Sequence, residues 1–178
     1  MEHNHKASDG NTKDNGYGIG LIPKKSLGDY AWDNGSTSNG YKGSDINIST
    51  LPTVANNLKK VLGDHLVLRN VLLSSAKNSR YYTSAYAWTT AYCTLMSMGQ
   101  VTGKFASNRN KYDDGEANYK LPLFNYETWS FDAWAWSRCI YGYDGYGYRD
   151  IYGFTTSGGS DFDGCGGSFG LRPLIYIR

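Results

Sequence analysis

The sequence predicts a mixed α+β domain poor in helix, and three observations predict it. One stretch, "ISTLPTVANNLKKVLGDH", carries apolar residues at helical spacing over several turns. Short runs rich in Val, Ile, Leu, Tyr and Trp recur on either side of it, each too short for a helix of its own. The text between these runs is dominated by Gly, Asn and Ser, the residues of turns and loops. A length of 178 residues suits one domain with a single sizeable core.

The elements follow in chain order. Residues 1–15 are polar and read as a flexible tail, with His3 and His5 as tail residues rather than metal ligands. Residues 16–178 form the domain. From Gly16 to Asp45 the apolar islands "IGLIP" and "DYAW" read as short strands or ordered loop. The main helix then starts near Leu51, where Ser49 or Thr50 can cap it and Pro52 suits its first turn. Val54, Leu58, Val61 and Leu62 share one face, and Gly63 stops the helix. His65, beside that end, reads as a capping residue.

"LVLRNVLLS" reads as a strand, and "AYAWTTAYCTLMS" carries a second. Ser97 and Gln100 stand at capping-box spacing, which makes "MGQVTG" a short helix. Lys104 to Tyr119 is polar and reads as a long surface loop. "YETWSFDAWAWSRCI" ends in a strand, and "GLRPLIYI" closes the domain with another. Pro173 must avoid a mid-ladder donor position there. Trp134, Trp136, Leu171, Leu174 and Ile175 are the expected core of these last strands.

Several function classes are excluded on composition. The formal net charge is +2 and the cations form no stripe, so nucleic acid is not an expected partner. The apolar runs are short, so no membrane insertion is expected. The residues after Met1 lack a signal-peptide pattern, which favours assembly from the cytoplasm over export. The 3 cysteines form no CxxC pair, so neither a disulfide framework nor a zinc site is expected.

Other candidate motifs are incomplete. "DFDGCGG" begins like a calcium loop but lacks the downstream Glu, and "YDDGEAN" reads as a solvated turn. "GYGIG" lacks the Lys and Ser/Thr of a phosphate loop. There is no Ser/His/Asp or paired-carboxylate pattern. The chain is therefore not expected to be an enzyme, and no catalytic residue, metal or cofactor is assigned.

The C-terminal quarter has an unusual palette. From Ser137 to Arg178 there is no Lys, Glu, Gln, Trp or Met, whereas before Ser137 these types make up roughly one residue in six. A solvated loop should be rich in Lys, Glu and Gln, so solubility does not explain the gap. A codon with any bases at its first two positions and a pyrimidine at its third encodes every amino acid except those five. Randomising the adenines of AAY codons would produce this palette.

The stretch "AWAWSRCI…GLRPLIYI" resembles the C-terminal half of variable proteins from diversity-generating retroelements. In that family a W-x-R-S-like strand precedes a mutable, originally Asn-rich segment, and a G-[VL]-R-P strand closes the domain. Here these are Trp136-Ser137-Arg138 and Gly170-Leu171-Arg172-Pro173. Upstream, "LMSMGQVTG" followed by "NYKLPLFNY" looks like the family's "LLS-x-x-E-V-x-G" stretch, with Gln100 in place of the usual Glu. "WSRC" likewise departs from "WLRS". The resemblance covers roughly Asp45 to Arg178.

It implies a C-type-lectin-like fold, similar to formylglycine-generating enzymes: a small twisted antiparallel sheet, one main helix, one short helix and much ordered loop. The diversified segment would be about 137–170, displayed on the virion surface in viral members or the cell surface in cellular ones. Its partner would be a host-surface protein or glycan. The alternatives are a structural virion or appendage protein without a diversified site, and an enzyme of the formylglycine-generating type. The enzymes use paired reactive cysteines, and Cys139 and Cys165 here both fall within the permitted palette. The sugar-binding triplets of calcium-dependent lectins are absent.

The residues of the segment suit recognition on chemical grounds alone. Tyr gives a large amphipathic contact at low entropy cost, while Gly and Ser let the backbone adapt. Tyr141, Tyr143, Tyr146, Tyr148 and Tyr152 are the expected anchors. Asp144, Arg149, Asp150, Asp161 and Asp163 are the expected polar discriminators, with Phe162 between the last two.

Overall fold

The computed structural model describes residues 5–6, 12–13, 18–35, 39–77, 83–103, 120–121, 123–126, 131–143, 149–157 and 159–178. The chain begins with four short strands, β1 (His5–Lys6), β2 (Thr12–Lys13), β3 (Ile19–Leu21) and β4 (Asp29–Ala31). A 3-10 turn at Tyr41–Gly43 and a π turn at Ile46–Thr50 lead into α1 (Leu51–Leu62), which a second 3-10 turn follows at Gly63–His65. Next come β5 (Arg69–Lys77), β6 (Thr83–Ala91), β7 (Cys93–Leu95), α2 (Met98–Thr102) and α3 (Leu123–Tyr126). The regular elements described in the C-terminal part are all strands: β8 (Ala135–Tyr143), β9 (Arg149–Phe154), β10 (Ser160–Gly164), β11 (Ser168–Gly170) and β12 (Pro173–Ile177). The fold is α+β, mostly strand, with one main helix.

The strands divide into a five-stranded sheet, β10-β9-β8-β11-β4, a three-stranded sheet, β3-β12-β7, and the pairs β5-β6 and β1-β2. Among the described residues all ladders are antiparallel except one contact, where Gly170 of β11 runs parallel to Ala135 of β8. The expected single sheet is thus divided, and it is not purely antiparallel. β8 and β12, the two strands expected in the sheet core, are the central strands of their sheets. Pro173 is the first residue of β12, where its missing N–H costs the ladder little. In the expected tail, β1 and β2 pair over two residues. The Lys104 to Tyr119 loop lies outside the described residues.

Helix α1 forms where the apolar spacing places it, with three corrections. Leu51 and Ala55 are buried, and Val54, Leu58 and Leu62 pack beside them on the core. Val61 sits on the rim of that stripe and is 84% exposed. Thr50 does not cap the helix: the chain enters from the π turn already in helical conformation, and the Thr50 side chain makes no capping bond. His65 does not cap it either, because its Nδ1 instead meets the Arg178 carbonyl at 3.0 Å and ties the last residue to the body. Gly63 does end the helix, with φ +55°, a conformation that suits a residue lacking Cβ.

α2 carries the complete capping box. Ser97 Oγ accepts the Gln100 N–H at 3.0 Å, and Gln100 Oε1 accepts the Ser97 N–H at 2.8 Å. A neutral Gln therefore fills the acceptor role that the resemblance gives to Glu.

β9 and β12 lie between two core clusters, with alternate residues going to each. Ile151 and Ile175 join Trp32, Tyr41, Leu51, Trp136 and Leu171 in one cluster. Tyr152, Phe154, Leu174 and Tyr176 join Met96, Met98, Phe131 and Cys139 in the other. Burial on both faces is why these strands read as nearly continuous apolar text.

Arg172 locks the closing strand in place. Its fully buried guanidinium donates to the Pro23 carbonyl at 3.0 Å, pairs with the Asp132 carboxylate and stacks 4.9 Å from the Phe131 ring centre. A buried cation needs such partners to offset its desolvation. Asp132 also accepts the Ser26 N–H. The neighbouring guanidinium holds its carboxyl below the usual carboxylate range.

Candidate binding surface

Two hairpins and a turn build the segment from Ser137 to Gly170. β8 runs antiparallel to β9, and β9 to β10. β8 does not follow β9 regularly, because the register shifts between Trp136 and Ile140. The intervening residues bond elsewhere. The Ser137 carbonyl accepts from Trp32 Nε1 at 3.1 Å, the Arg138 N–H donates to the Met96 carbonyl at 3.0 Å, and Ser137 Oγ accepts the Cys139 N–H at 3.0 Å. The "SRC" stretch thereby fastens the sheet to two other parts of the core. Ser137, Arg138, Cys139 and Ile140 are all buried.

Gly153 shows how tightly this part is packed. A Cβ there would lie 2.7 Å from the Trp134 ring and 3.0 Å from the Ala135 carbonyl oxygen. Trp134 belongs to an aromatic group with Trp136 and Phe169, whose ring centres are 4.2–5.7 Å apart. Trp136 Nε1 donates to the Tyr30 carbonyl at 2.7 Å. Trp136, Leu171, Leu174 and Ile175 are buried as expected, and Trp134 is half-buried against the same core.

The second half of the segment turns outward. Between β9 and β10, the Thr155 N–H donates to the Gly159 carbonyl at 3.0 Å, and Thr155 Oγ1 accepts the Gly159 N–H at 3.1 Å. Between β10 and β11, the Gly167 N–H donates to the Gly164 carbonyl at 2.8 Å. Cys165 anchors that turn: its carbonyl accepts from the Trp32 and Asp33 N–H groups, and its side chain is buried. Between these fixed points Thr156, Ser157, Ser160, Asp161, Phe162, Asp163, Gly166 and Ser168 are exposed. The groups on offer are hydroxyls, carboxylate acceptors and one aromatic ring, which are the makings of a contact surface.

Compared with protein-family models, curated proteins and solved structures, the chain matches none. The placement of the expected contact residues therefore rests on the geometry.

Asp161, Phe162 and Asp163 lie together on β10 and are exposed, Phe162 at 44%. Tyr152 is a correction. It is 5% exposed and packs in the second core cluster, because β9 is covered on both faces, so it is a scaffold residue and not a surface anchor. Asp150, at the start of β9, is half-buried. Tyr141 and Tyr143 fall in β8 and Arg149 opens β9, with Tyr143 opposite Arg149. Asp144, Tyr146 and Tyr148 lie outside the described residues.

The sequence reading missed Thr156, Ser157, Ser160 and Ser168. Their signal was present: small polar residues around "SDFDG" between glycine-marked turns.

A cleft of about 430 Å³ lies elsewhere, where Ile48, Leu51 and Ala55 face Thr90, Tyr92 and Cys93. Burial pushes the Cys93 thiol up to about 12, so it stays protonated at neutral pH. Among the described residues no group of three or more His, Cys, Asp and Glu side chains is placed to hold a metal ion. No described helix is long and apolar enough to cross a membrane.

Proposed function

We propose that this chain is a variable ligand- or receptor-binding protein, the target of a diversity-generating retroelement, on a C-type-lectin-like scaffold. Its place is the surface of a virus particle or of a cell, and its partner is a protein or glycan on a host surface. The observation that carries this reading is the palette from Ser137 onward, which lacks the five residue types that AAY randomisation cannot produce. The exposed residues Ser160 to Asp163, with Thr156, Ser157, Gly166 and Ser168 beside them, support it, since their Gly, Ser and Asp composition is displayed and not packed. The scaffold part rests on the order of the motifs. Trp136 and Arg138 stand in a central strand, and Gly170 to Pro173 lead into the closing one.

The test lies in the neighbouring DNA. A near-copy of the segment encoding Ser137 to Arg178, differing only at adenines and beside a reverse-transcriptase gene, is the expected finding. A locus with neither would defeat the proposal.

A further inference from the structure

β10 is an edge strand: β9 pairs with one side of it, and no described strand pairs with the other. All four residues from Ser160 to Asp163 are exposed. An exposed edge bearing an apolar side chain such as Phe162 is a template for strand addition, most simply by a second copy of the same chain.

The phase of the ladder shows which groups face outward. The bond from the Thr155 N–H to the Gly159 carbonyl makes these two a hydrogen-bonded pair. Such pairs alternate with pairs whose N–H and C=O groups point away from the partner strand. Counting along the register, Asp161 with Gly153 and Asp163 with Ile151 face inward to β9. Ser160, opposite Phe154, Phe162, opposite Tyr152, and Gly164, opposite Asp150, direct their N–H groups to the open side.

Two of these three outward donors, those at the centre and far end of the strand, are already taken. The Phe162 N–H donates to Asp161 Oδ1 at 2.9 Å, and the Gly164 N–H donates to Asp163 Oδ1 at 2.6 Å. Each aspartate thus covers the amide that follows it, and the pair adds negative charge along the edge.

We infer that Asp161 and Asp163 close the free edge of β10 to strand addition by a second copy of this chain. Any partner of this ribbon then meets it through side chains rather than through backbone pairing. The inference rests on ladder phase and hydrogen bonds and does not depend on the proposed function.

The experiment compares three full-length chains: wild type, Asp161→Ala/Asp163→Ala and Asp161→Asn/Asp163→Asn. Asn removes the charge but keeps the Oδ1 acceptor. Light scattering after gel filtration should show the Ala variant at twice the wild-type mass as concentration rises, and the Asn variant at the wild-type mass. In dilute solution, hydrogen exchange at the Phe162 and Gly164 amides should be about 5-fold faster or more in the Ala variant, the worth of one such bond. Unchanged mass and unchanged exchange in the Ala variant would overturn the inference. Equal association of both variants would assign the protection to charge and overturn the hydrogen-bond account.

Discussion

The inner parts of β8 and β9 and the ribbon around β10 share one palette and differ in almost everything else. Residues 137–140 and 151–154 are buried on the core, where Gly153 leaves no room for a single added carbon. Residues 159–163 are exposed throughout. A segment that looks uniform in its permitted amino acids is therefore two regions in its physics. A palette records what a codon can encode, and burial decides what the fold can accept.

The largest expected effects come from the buried region. Trp136→Ala should cost about 3–5 kcal/mol, since it removes a fully buried ring and a hydrogen bond to Tyr30. Tyr152→Ala should cost about 3 kcal/mol by the same mechanism, measured by denaturant unfolding. A loss at Tyr152 no larger than that of a surface change would return it to the contact surface.

Gly153→Ala comes next. Its added carbon meets the Trp134 ring and a backbone carbonyl, and overpacking of this kind costs about 1–3 kcal/mol. Near-UV circular dichroism should report the displaced tryptophan. An unchanged melting point and spectrum would show that the ring moves aside freely.

A pH effect separates the closing strand from the ribbon. The Asp132 carboxyl is lowered by Arg172, so its contribution is complete above its unfolded value near pH 4. That contribution is lost as pH falls through the lower folded value. Wild type should lose melting temperature below about pH 4, and Asp132→Asn should lose less across the same window. Parallel curves for the two proteins would remove the ion pair from the account.

The smallest effects belong to the ribbon. Ser160→Ala, Phe162→Ser and Ser168→Ala should each change stability by no more than about 0.5 kcal/mol, the usual range for exposed positions. A loss of several kcal/mol at Phe162 would show that its half-exposed ring is structural.

Much of the architecture was legible in the sequence. The α1 stripe, the Ser97–Gln100 capping box, the Gly63 stop and the two central strands all follow from local spacing and composition. What was not legible depends on contacts distant in the chain. Val61 obeys helical spacing yet is 84% exposed, and His65 finds Arg178 across 113 residues. The irregularity of β8 arises because Trp32 and Met96 take its backbone groups. Tyr152 reads like every other tyrosine of its run, and its burial follows from the second cluster over β9. For the candidate surface, the sequence marked the region and the exposed aspartates, while the ladder phase that makes those aspartates cover an edge needed the register.

The division of the segment can be measured directly. Every codon from Ser137 to Gly170 is randomised with the same restricted palette, and folded chains are selected by resistance to protease and then sequenced. The expected result is broad acceptance at Ser160, Phe162 and Ser168, with near-exclusion of change at Ile140, Ile151, Gly153 and Phe154. Equal tolerance across both groups, or intolerance centred on the ribbon, would contradict the separation of a buried scaffold from a displayed surface.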